Sequence, residues 1–498
     1  MPVIVPDAAG FRAAAEAGAR VVSVHTRLQA DGLTAVGLFH QLCGTRPGTF
    51  LLESAAQGVL SRWSFIGVNA LATLSAAEGR AVWTGRPLTG LPDDADPLAA
   101  LAASLTMLHT EPEPGLPPLT SGFVGYLGYD VVRRLERLPD TCVDDLGVPE
   151  LTMLLVGDLA ALDHHTGDVW LIANAVNFDD SEERLEEAYA DAVSRVEALV
   201  AALAQPAAPL LTEVLDAGDA ELVRQRTSEE FQSMVRECVE EIRAGEAFQV
   251  VPSQRFEVAT EADPLDVYRL LRRGNPSPYM FLLRLDGFAI VGASPEALVT
   301  VRDGQVVIHP IAGTKPRGAT PEEDAAYEAE LLADEKEAAE HLMLVDLGRN
   351  DVGRVSVPGS VKVHEFMRVR RYSHVMHLEA EVTGELAPGR TALEATLAGF
   401  PAGTLSGAPK VRAMEIIDRL ERSRRGVYGG AVGYFDLAGN ADTAIAIRTA
   451  LMKGGVAYVQ AGAGVVADSD PETEDTETVN KAAAVVRAVR GADRMRRL

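Results

Sequence analysis

The sequence YMFLLRLDGFAIV, residues 279–291, decides the fold of this chain. Two apolar runs flank the dipeptide Asp286-Gly287, and Asp-Gly is the strongest short-range signal for a two-residue hairpin turn. Strands joined by so short a turn must run antiparallel. The stretch therefore predicts a β-hairpin within an antiparallel sheet.

The same pattern occurs twice more in the second half of the chain. Asp303-Gly304 separates apolar residues 298–301 from 306–311, and Gly454-Gly455 separates two later apolar runs. Apolar periodicity predicts helices in residues 181–203, from about Ser228, and in residues 321–348, 408–422 and 476–490. We expect an α+β fold, a layered α/β/β/α sandwich with large, mainly antiparallel sheets, built as one extended assembly of two intertwined parts.

A proline-containing stretch divides the chain. Pro206 and Pro209 follow the helical residues 181–203 and indicate a linker. We expect an N-terminal part in residues 1–205, a linker in residues 206–226, and a C-terminal part in residues 227–498. Most residues with chemical character lie in the C-terminal part.

The composition excludes several classes of protein. The chain has 498 residues, 47% of them hydrophobic, which is enough for a large core. Its formal net charge of -26 would repel a phosphate backbone or an anionic lipid surface, so neither nucleic acid nor a membrane is an expected partner. Three widely spaced cysteines, and no apolar stretch approaching about 20 residues, indicate a cytoplasmic protein.

Two pairs of glutamates share the same helical spacing. Glu337 and Glu340, and further along Glu474 and Glu477, lie three positions apart, so the members of each pair share a helix face. Two such pairs facing each other would form an oxygen-lined pocket for a hard cation such as Mg2+. Glutamates at this spacing are also typical of a solvated helix face, and spacing alone does not separate the two possibilities.

Arg448 lies in an apolar run, where an arginine is costly to bury without a partner such as a carboxylate. Gly462-Ala463-Gly464 follows nearby, and glycines there would let backbone amides approach an anion. A β-bulge is the other explanation for these glycines.

Together these motifs resemble the chorismate-utilising enzymes. The resemblance rests on Ser294-Pro295-Glu296, His309-Pro310-Ile311-Ala312-Gly313-Thr314, Glu337, Glu340, His377, Arg448, Gly462-Ala463-Gly464, Glu474 and Glu477. It implies that Glu340 and Glu477 bind Mg2+, with Glu337 and Glu474 as water-mediated or outer partners. It implies that chorismate contacts Gly313, Thr314, Tyr428, Arg448, Gly462, Ala463 and Gly464, with Lys481 nearby.

The resemblance also assigns the reacting groups. It implies that Glu296 is the general acid that protonates the leaving C4 hydroxyl, a role that needs a raised pKa. His377 is implied in the loss of pyruvate, and Thr404 occupies another active-site position. The neighbouring His374 is expected to be structural.

Two positions distinguish the reactions of these enzymes. Aminodeoxychorismate synthases typically carry a nucleophilic lysine where this chain has Ala312, and isochorismate and salicylate synthases carry a lysine base where it has Gln249. With both lysines absent, ammonia is the expected nucleophile and anthranilate the expected product. A separate glutamine amidotransferase subunit should supply ammonia, in an expected heterotetramer. An aminodeoxychorismate synthase and a catalytically silent tryptophan-binding regulator stay open as alternatives.

Two further segments resemble the tryptophan feedback motif of the same enzymes. Leu51-Leu52-Glu53-Ser54 matches its first half and Pro278-Tyr279-Met280 its second half. The resemblance implies that tryptophan inhibits by binding near Ser54, Pro278, Tyr279 and Met280, between the two parts of the chain and distant from Glu340. On its own, Leu51-Leu52 predicts only a core strand.

Overall fold

The computed structural model describes residues 2–55, 62–86, 88–93, 95–178, 181, 184–214, 223–371 and 375–497. Its α-helices are α1 (Ala8–Glu16), α2 (Ala35–Cys43), α3 (Pro97–Met107), α4 (Leu185–Leu203), α5 (Ser228–Arg243), α6 (Pro264–Gly274), α7 (Pro321–Ala333), α8 (Glu335–Gly353), α9 (Ala392–Gly399), α10 (Gly403–Ser406), α11 (Lys410–Leu420) and α12 (Pro471–Ala492). A 3-10 helix spans Tyr129–Arg134. In the described residues, none of the helices has the length and apolar character needed to cross a membrane.

The strands of the N-terminal half are β1 (Val21–Gln29), β2 (Thr49–Glu53), β3 (Trp63–Ala77), β4 (Arg80–Gly85), β5 (Gly122–Leu127), β6 (Leu151–Asp163), β7 (Asp168–Val176), β8 (Thr212–Val214) and β9 (Val223–Arg224). Those that follow are β10 (Gln249–Val250), β11 (Ser253–Ala259), β12 (Tyr279–Leu285), β13 (Phe288–Ser294), β14 (Ala297–Arg302), β15 (Gln305–Ile308), β16 (Ile311–Pro316), β17 (Lys362–Arg371), β18 (Val375–Glu385), β19 (Gly407–Ala408), β20 (Ala431–Asp436), β21 (Ala441–Ile445), β22 (Thr449–Lys453), β23 (Val456–Gly462) and β24 (Met495–Arg497).

The main sheet has two arms that meet at the long strands β3 and β6, which pair with each other along most of their length. One arm continues from β3 through β2, β12, β13, β22, β23 and β11. The other continues from β6 through β5, β20, β21, β14, β15 and β18. All these pairs are antiparallel. Because β2 pairs with β12 and β5 with β20, segments from the two ends of the chain are intertwined in both arms.

Apolar side chains fill the spaces on both sides of each arm. Between the arms, Phe281 packs in one cluster with Tyr434. Outside the first arm, α6 and α12 contribute Leu271 and Val485, and outside the second arm α9 contributes Leu393. Burying each large apolar side chain contributes about 1.5–3 kcal/mol, so the layers are held mainly by this packing. The predicted α/β/β/α sandwich is confirmed.

The three predicted hairpins are confirmed. β12 and β13 flank Asp286-Gly287, β14 and β15 flank Asp303-Gly304, and β22 and β23 flank Gly454-Gly455. Asp303 and Gly304 both have positive φ angles, as a type I′ turn requires. The predicted strand 306–311 is wrong at its end. β15 stops at Ile308 and β16 begins at Ile311, because the intervening Pro310 cannot donate to a strand ladder.

The helix predictions are corrected mainly at the helix ends. Residues 321–348 form two helices, α7 and α8, because Asp334 has an extended backbone and its carboxylate accepts hydrogen bonds from the first amides of α8. The helix predicted from about Ser228 begins at that residue, and the side chain of Thr227 caps it. The last helix begins at Pro471, so Glu474 lies in its first turn.

Candidate active site

Glu296 lies between β13 and β14, in surroundings that favour its protonated form. Thr404 Oγ1 donates to Glu296 Oε1 at 3.1 Å, and Ile445 N donates to the Glu296 carbonyl at 3.0 Å. Burial raises the pKa of Glu296 from 4.5 to about 7, against smaller lowering effects from Thr404 and Lys481. A carboxyl group with a pKa near 7 can give up and recover a proton at neutral pH.

His377 lies on β18, and its ring is held by the neighbouring strand β16. Its Nδ1 is 2.9 Å from the Gly313 carbonyl oxygen and 3.0 Å from Thr314 Oγ1. Because a carbonyl oxygen only accepts, Nδ1 carries the hydrogen, and the lone pair of the neutral ring is on Nε2. Burial lowers the pKa of His377 below its ordinary value of 6.5. The ring is therefore neutral at pH 7 and has basic character at Nε2.

Gly313, whose carbonyl contacts His377, also lies close to Glu337 of α8. Its φ is +63°, and a Cβ at this position would lie 2.8 Å from Leu331 Cδ1 and 3.3 Å from Glu337 Oε2. A larger residue would strain the backbone and displace these neighbours. The neighbouring Ala312 is 7% exposed, so the position that distinguishes the aminodeoxychorismate synthases is apolar and buried.

Arg448 and Lys481 are two basic residues held by backbone carbonyl groups. Arg448 Nη1 donates to the Lys481 carbonyl at 2.8 Å, and Lys481 Nζ donates to the Gly462 carbonyl at 3.1 Å. Burial lowers the pKa of Arg448, although a guanidinium remains charged at neutral pH. Both cationic residues line a cavity of about 670 Å³, whose other charged residues are Asp470, Glu472 and Glu477. A cavity of this size accommodates a small organic anion.

The glycine segment packs closely against other predicted site residues. A Cβ at Gly462 would lie 2.8 Å from Tyr428 Oη, and one at Gly464 would lie 2.8 Å from Gln249 Nε2. The amide of Ala463 donates to the Pro252 carbonyl at 3.2 Å, so this amide is used within the protein. Burial raises the pKa of Tyr428, which keeps its hydroxyl protonated.

The two glutamate pairs face each other from α8 and α12. The pKa of Glu337 is raised first by burial and then by the charge of Glu340, with a further contribution from Glu477 on the other helix. Burial and the charge of Glu477 also raise the pKa of Glu474. Such repulsion between carboxylates would be relieved by a bound cation.

Three of these carboxylates have protein partners, that of Glu474 being Ser469. Glu340 Oε1 accepts a hydrogen bond from Gln249 Nε2 at 3.0 Å, and Glu477 Oε1 lies 2.5 Å from Lys481 Nζ. Within the described part of the chain, no group of three or more His, Cys, Asp or Glu side chains is arranged to hold a metal ion. A cation would therefore compete with Lys481 for the carboxylate of Glu477.

The residues of the feedback motif form a second group. β2 pairs with β12 so that Glu53 is opposite Met280, and Ala55 N donates to the Ser277 carbonyl at 3.0 Å. Ser54 and Pro278-Tyr279-Met280 thus belong to neighbouring segments. In the described structure, Ser54 Oγ is buried without a hydrogen-bond partner.

Sequence reasoning missed contacts between segments that are far apart in the chain. The sequence singles out Gln249 only because isochorismate and salicylate synthases carry a lysine at this position. In the structure, the side-chain amide of Gln249 donates a hydrogen bond to Glu340. Arg425 donates to the Leu405 and Val251 carbonyls, and its only sequence signal is its place directly before Gly426-Val427-Tyr428. His374 lies outside the described residues.

The chain matches the family model for chorismate binding enzyme over residues 48–487. This span includes the predicted catalytic, substrate-binding and metal residues. The chain therefore belongs to the chorismate-binding enzyme family.

Within the family, the chain is similar to anthranilate synthases. It is 59% identical over 481 residues to anthranilate synthase component 1 of Mycolicibacterium smegmatis, covering 95% of this chain and 91% of the relative. It is 57% identical over 484 residues to anthranilate synthase component 1 of Mycobacterium tuberculosis, covering 95% and 94%. Identity at this level over nearly the full length groups the chain with anthranilate synthase component I, a chorismate-utilising lyase. The designation component 1 in the names of these relatives implies that a partner component exists.

Solved structures support the same fold. Anthranilate synthase component I from Streptococcus pneumoniae has a TM-score of 0.76 and 38% identity, covering 86% of this chain and 93% of that one. The menaquinone-specific isochorismate synthase MenF from Escherichia coli has a TM-score of 0.70 at 19% identity, covering 98% and 95%, and it shows the shared fold alone.

Proposed function

We propose that the chain aminates chorismate at C2 with ammonia and then eliminates pyruvate to give anthranilate. The observation that carries this proposal is the buried Glu296 carboxyl, which accepts a hydrogen bond from Thr404 and whose pKa is raised to about 7 even though Lys481, a residue of the cavity wall, acts to lower it. Loss of the C4 hydroxyl needs a proton donor, and a carboxyl group with a pKa of about 7 can serve as one.

In the first step, the ammonia lone pair forms the bond to C2, the two ring double bonds each shift by one position, to C1=C6 and C4=C5, and the C4–O bond breaks. Glu296 gives its proton to the departing oxygen, which leaves as water. The new ammonium group loses a proton, so the step consumes ammonia and releases water. Thr404 keeps the Glu296 carboxyl oriented for this transfer through the 3.1 Å hydrogen bond.

In the second step, the C2 hydrogen is removed as a proton, the C3–O bond breaks, and the enolpyruvyl group leaves and takes up a proton to become pyruvate. We assign the proton removal to His377. Its neutral state and the tautomer fixed by the Gly313 carbonyl place basic character on Nε2.

Chorismate carries two carboxylates, and the proposed site compensates them locally despite the net charge of -26. Arg448 and Lys481 line the cavity. We place the substrate contacts of Gly313, Thr314, Tyr428, Gly462, Ala463 and Gly464 next to it, because the Gly462 carbonyl accepts from Lys481 and a Cβ at Gly462 would lie 2.8 Å from Tyr428 Oη. A buried guanidinium binds a carboxylate strongly because its planar N–H donors match the two oxygens.

We also propose that Glu340 and Glu477 bind Mg2+, with Glu337 and Glu474 as outer or water-mediated partners. The mutual repulsion that raises the pKa of Glu337 supports a cation here. Mg2+ would supply positive charge that neutralises a substrate carboxylate. Lys481 would have to release Glu477 when the ion binds.

The partner component is, in this proposal, a glutamine amidotransferase that supplies ammonia, in a cytoplasmic heterotetramer with tryptophan as feedback inhibitor. We place the inhibitor near Ser54 and Pro278-Tyr279-Met280. We also propose the division into residues 1–205, a linker at 206–226, and residues 227–498. The buried apolar Ala312 disfavours an aminodeoxychorismate synthase, which typically uses a lysine at this position.

The test is to incubate the purified chain with chorismate, ammonium and Mg2+ at mildly alkaline pH and to identify products by mass and fluorescence. Anthranilate and pyruvate in equal amounts are expected. An aminodeoxychorismate product would favour the alternative enzyme. If the chain binds tryptophan but consumes no chorismate, the regulator alternative is correct.

A further inference from the structure

Arg425 is almost completely buried, and its side chain contacts three separate segments. It follows α11 and lies shortly before β20, with its side chain 1% exposed. Its Nε and Nη2 donate to the two carboxylate oxygens of Glu421 at 2.9 and 2.6 Å. Its Nη1 donates to the Leu405 carbonyl at 2.6 Å, and Nη2 also donates to the Val251 carbonyl at 2.6 Å.

Two of these segments, those of Leu405 and Val251, adjoin residues that contact the predicted catalytic and metal-binding glutamates. Leu405 directly follows Thr404, which donates to Glu296. Val251 directly follows β10, where Gln249 donates to Glu340. The Arg425 guanidinium also lies 5.6 Å from the centre of the Tyr428 ring.

Glu421 extends this network to a fourth segment. Its Oε1 accepts from both the amide and the hydroxyl of Ser253 at 2.8 Å. Ser253 is the cross-strand partner of Gly462, the residue whose carbonyl accepts from Lys481. A buried ion pair with this many satisfied hydrogen bonds fixes geometry more than it adds stability.

We propose that Arg425 is a positioning residue that sets the relative placement of Thr404, Gln249 and Tyr428 for the reaction. This inference rests on the proposed function. Its planar fork of five donors reaches carbonyls in different directions, which the ammonium of lysine cannot reproduce. Misplacement of a catalytic group by about 1 Å can lower the rate about 10²-fold.

The variant that tests this is Arg425→Lys, with Arg255→Lys as the matched control. Arg255 is also buried, with its side chain 5% exposed, and it donates to Asp145 and lies 5.4 Å from the centre of the Tyr458 ring. The Arg255→Lys variant thus disrupts the ion pair and ring contact of another buried arginine, at residues outside the predicted site, although Asp145 itself is exposed. Glu421→Gln is a second variant, which weakens the same network without removing the guanidinium.

Steady-state kinetics with chorismate at saturating ammonium should separate kcat from KM. We expect Arg425→Lys to lower kcat by about 10²-fold while KM for chorismate changes by less than about threefold, because the fault lies in the placement of reacting groups. Arg255→Lys should lower the melting temperature and leave kcat near wild type. Guanidinium ion added to Arg425→Ala should restore part of kcat.

The outcomes are distinguishable. If the wild type makes no anthranilate, the proposed function fails and this inference falls with it. If the wild type is active and Arg425→Lys keeps its kcat, or loses no more than Arg255→Lys at equal melting temperature, only the inference is wrong. Should Arg425→Lys fail to fold, the kcat of Glu421→Gln decides by the same comparison.

Discussion

Tyr279 and Ser294 are directly opposite each other in the hairpin of β12 and β13. Tyr279 belongs to the proposed tryptophan site, and the Ser294 hydroxyl accepts from the Glu296 amide at 3.3 Å. The proposed inhibitor site and the proposed general acid are therefore joined by one strand pair and one short loop. A shift of β12 on inhibitor binding would reach Glu296 through this connection.

Replacement of inhibitor-site residues should separate inhibition from catalysis. We expect Ser54→Ala or Met280→Ala to raise the tryptophan concentration needed for half-inhibition, with little change in the uninhibited rate, because effector and substrate sites are distinct and coupled. Inhibition curves measured on the wild type and both variants check this. An equal loss of inhibition and of uninhibited rate would instead place these residues in catalysis.

The pH dependence of the reaction should report Glu296. The pKa of Glu296 is raised from 4.5 to about 7, so the acid form prevails below pH 7 and is lost as the pH rises through that value. At constant free ammonia, kcat/KM for chorismate should therefore fall as the pH rises through 7. Glu296→Gln should lose about 10² to 10⁴ in rate, whereas Glu237→Gln on the exposed face of α5 should be neutral. A Glu296→Gln variant that kept both the wild-type rate and this fall in kcat/KM would contradict the assignment.

Unfolding provides a check on the same carboxyl without any turnover. A group with a raised folded-state pKa contributes stability that is fully present below its unfolded pKa of 4.5 and lost as the pH rises through 7. Relative to Glu296→Gln, the wild type should therefore lose stability between these pH values. Thermal melts check this: if the carboxyl were not buried in this way, the melting temperatures of the wild type and of Glu296→Gln would change in parallel across this pH range.

Removal of the proposed metal ligands should abolish activity and leave the fold intact. Glu340→Gln and Glu477→Gln each remove a negative charge from the pocket, so Mg2+ binds more weakly and a substrate carboxylate lacks compensation. Glu335→Gln, at the exposed start of α8, is the control. Rates measured against Mg2+ concentration decide the matter, since normal turnover of either site variant at limiting Mg2+ would show that the ion binds elsewhere.

His377→Ala should uncouple the two chemical steps. Because amination and elimination need different proton transfers, we expect the variant to consume chorismate with ammonia and release aminodeoxyisochorismate. Loss of a general base costs about 10² to 10⁴ in rate, enough for this intermediate to escape. Chorismate, the amino intermediate and pyruvate would be followed by mass over time. Pyruvate appearing in step with chorismate loss would mean that His377 is structural.

The isolated chain should use ammonia and not glutamine. The free cysteines do not provide a glutaminase nucleophile: burial raises the pKa of Cys43, Cys142 and Cys238 to about 12, so each thiol is protonated. Adding a glutamine amidotransferase component should restore glutamine use. Glutamine-dependent anthranilate synthesis by the rigorously pure chain would refute this prediction.

The sequence predicted those features whose cause is local. The Asp303-Gly304 hairpin follows from the backbone preference of two adjacent residues, so it could be placed within a residue or two. The break at Asp334 was missed because an apolar pattern continues across it, and only the cap geometry separates α7 from α8. The contact of Gln249 with Glu340 could not be predicted, since no local preference relates residues so far apart.

The same limit applied to the predicted site. The resemblance implies that Glu296, His377 and Arg448 share one region; in the structure the charge of Arg448 acts on the pKa of His377, and that of Lys481 on the pKa of Glu296. The resemblance does not include the pairing of Lys481 with Glu477, although their i, i+4 spacing on α12 favours an ion pair. The second contact of Lys481, with the Gly462 carbonyl, joins separate segments and has no local signal. Burial sets the pKa of Glu296, and burial is known only once the layers are packed.

The pairing of β5 with β20 has a consequence for synthesis of the chain. After β5 (Gly122–Leu127) has been synthesised, one of its edges stays unpaired until β20 (Ala431–Asp436) has also been made. At the usual 5–20 residues per second, this delay on the ribosome is roughly fifteen seconds to a minute. During that time an apolar strand edge is open to pairing with other nascent chains, so efficient production should depend on chaperones that shield it.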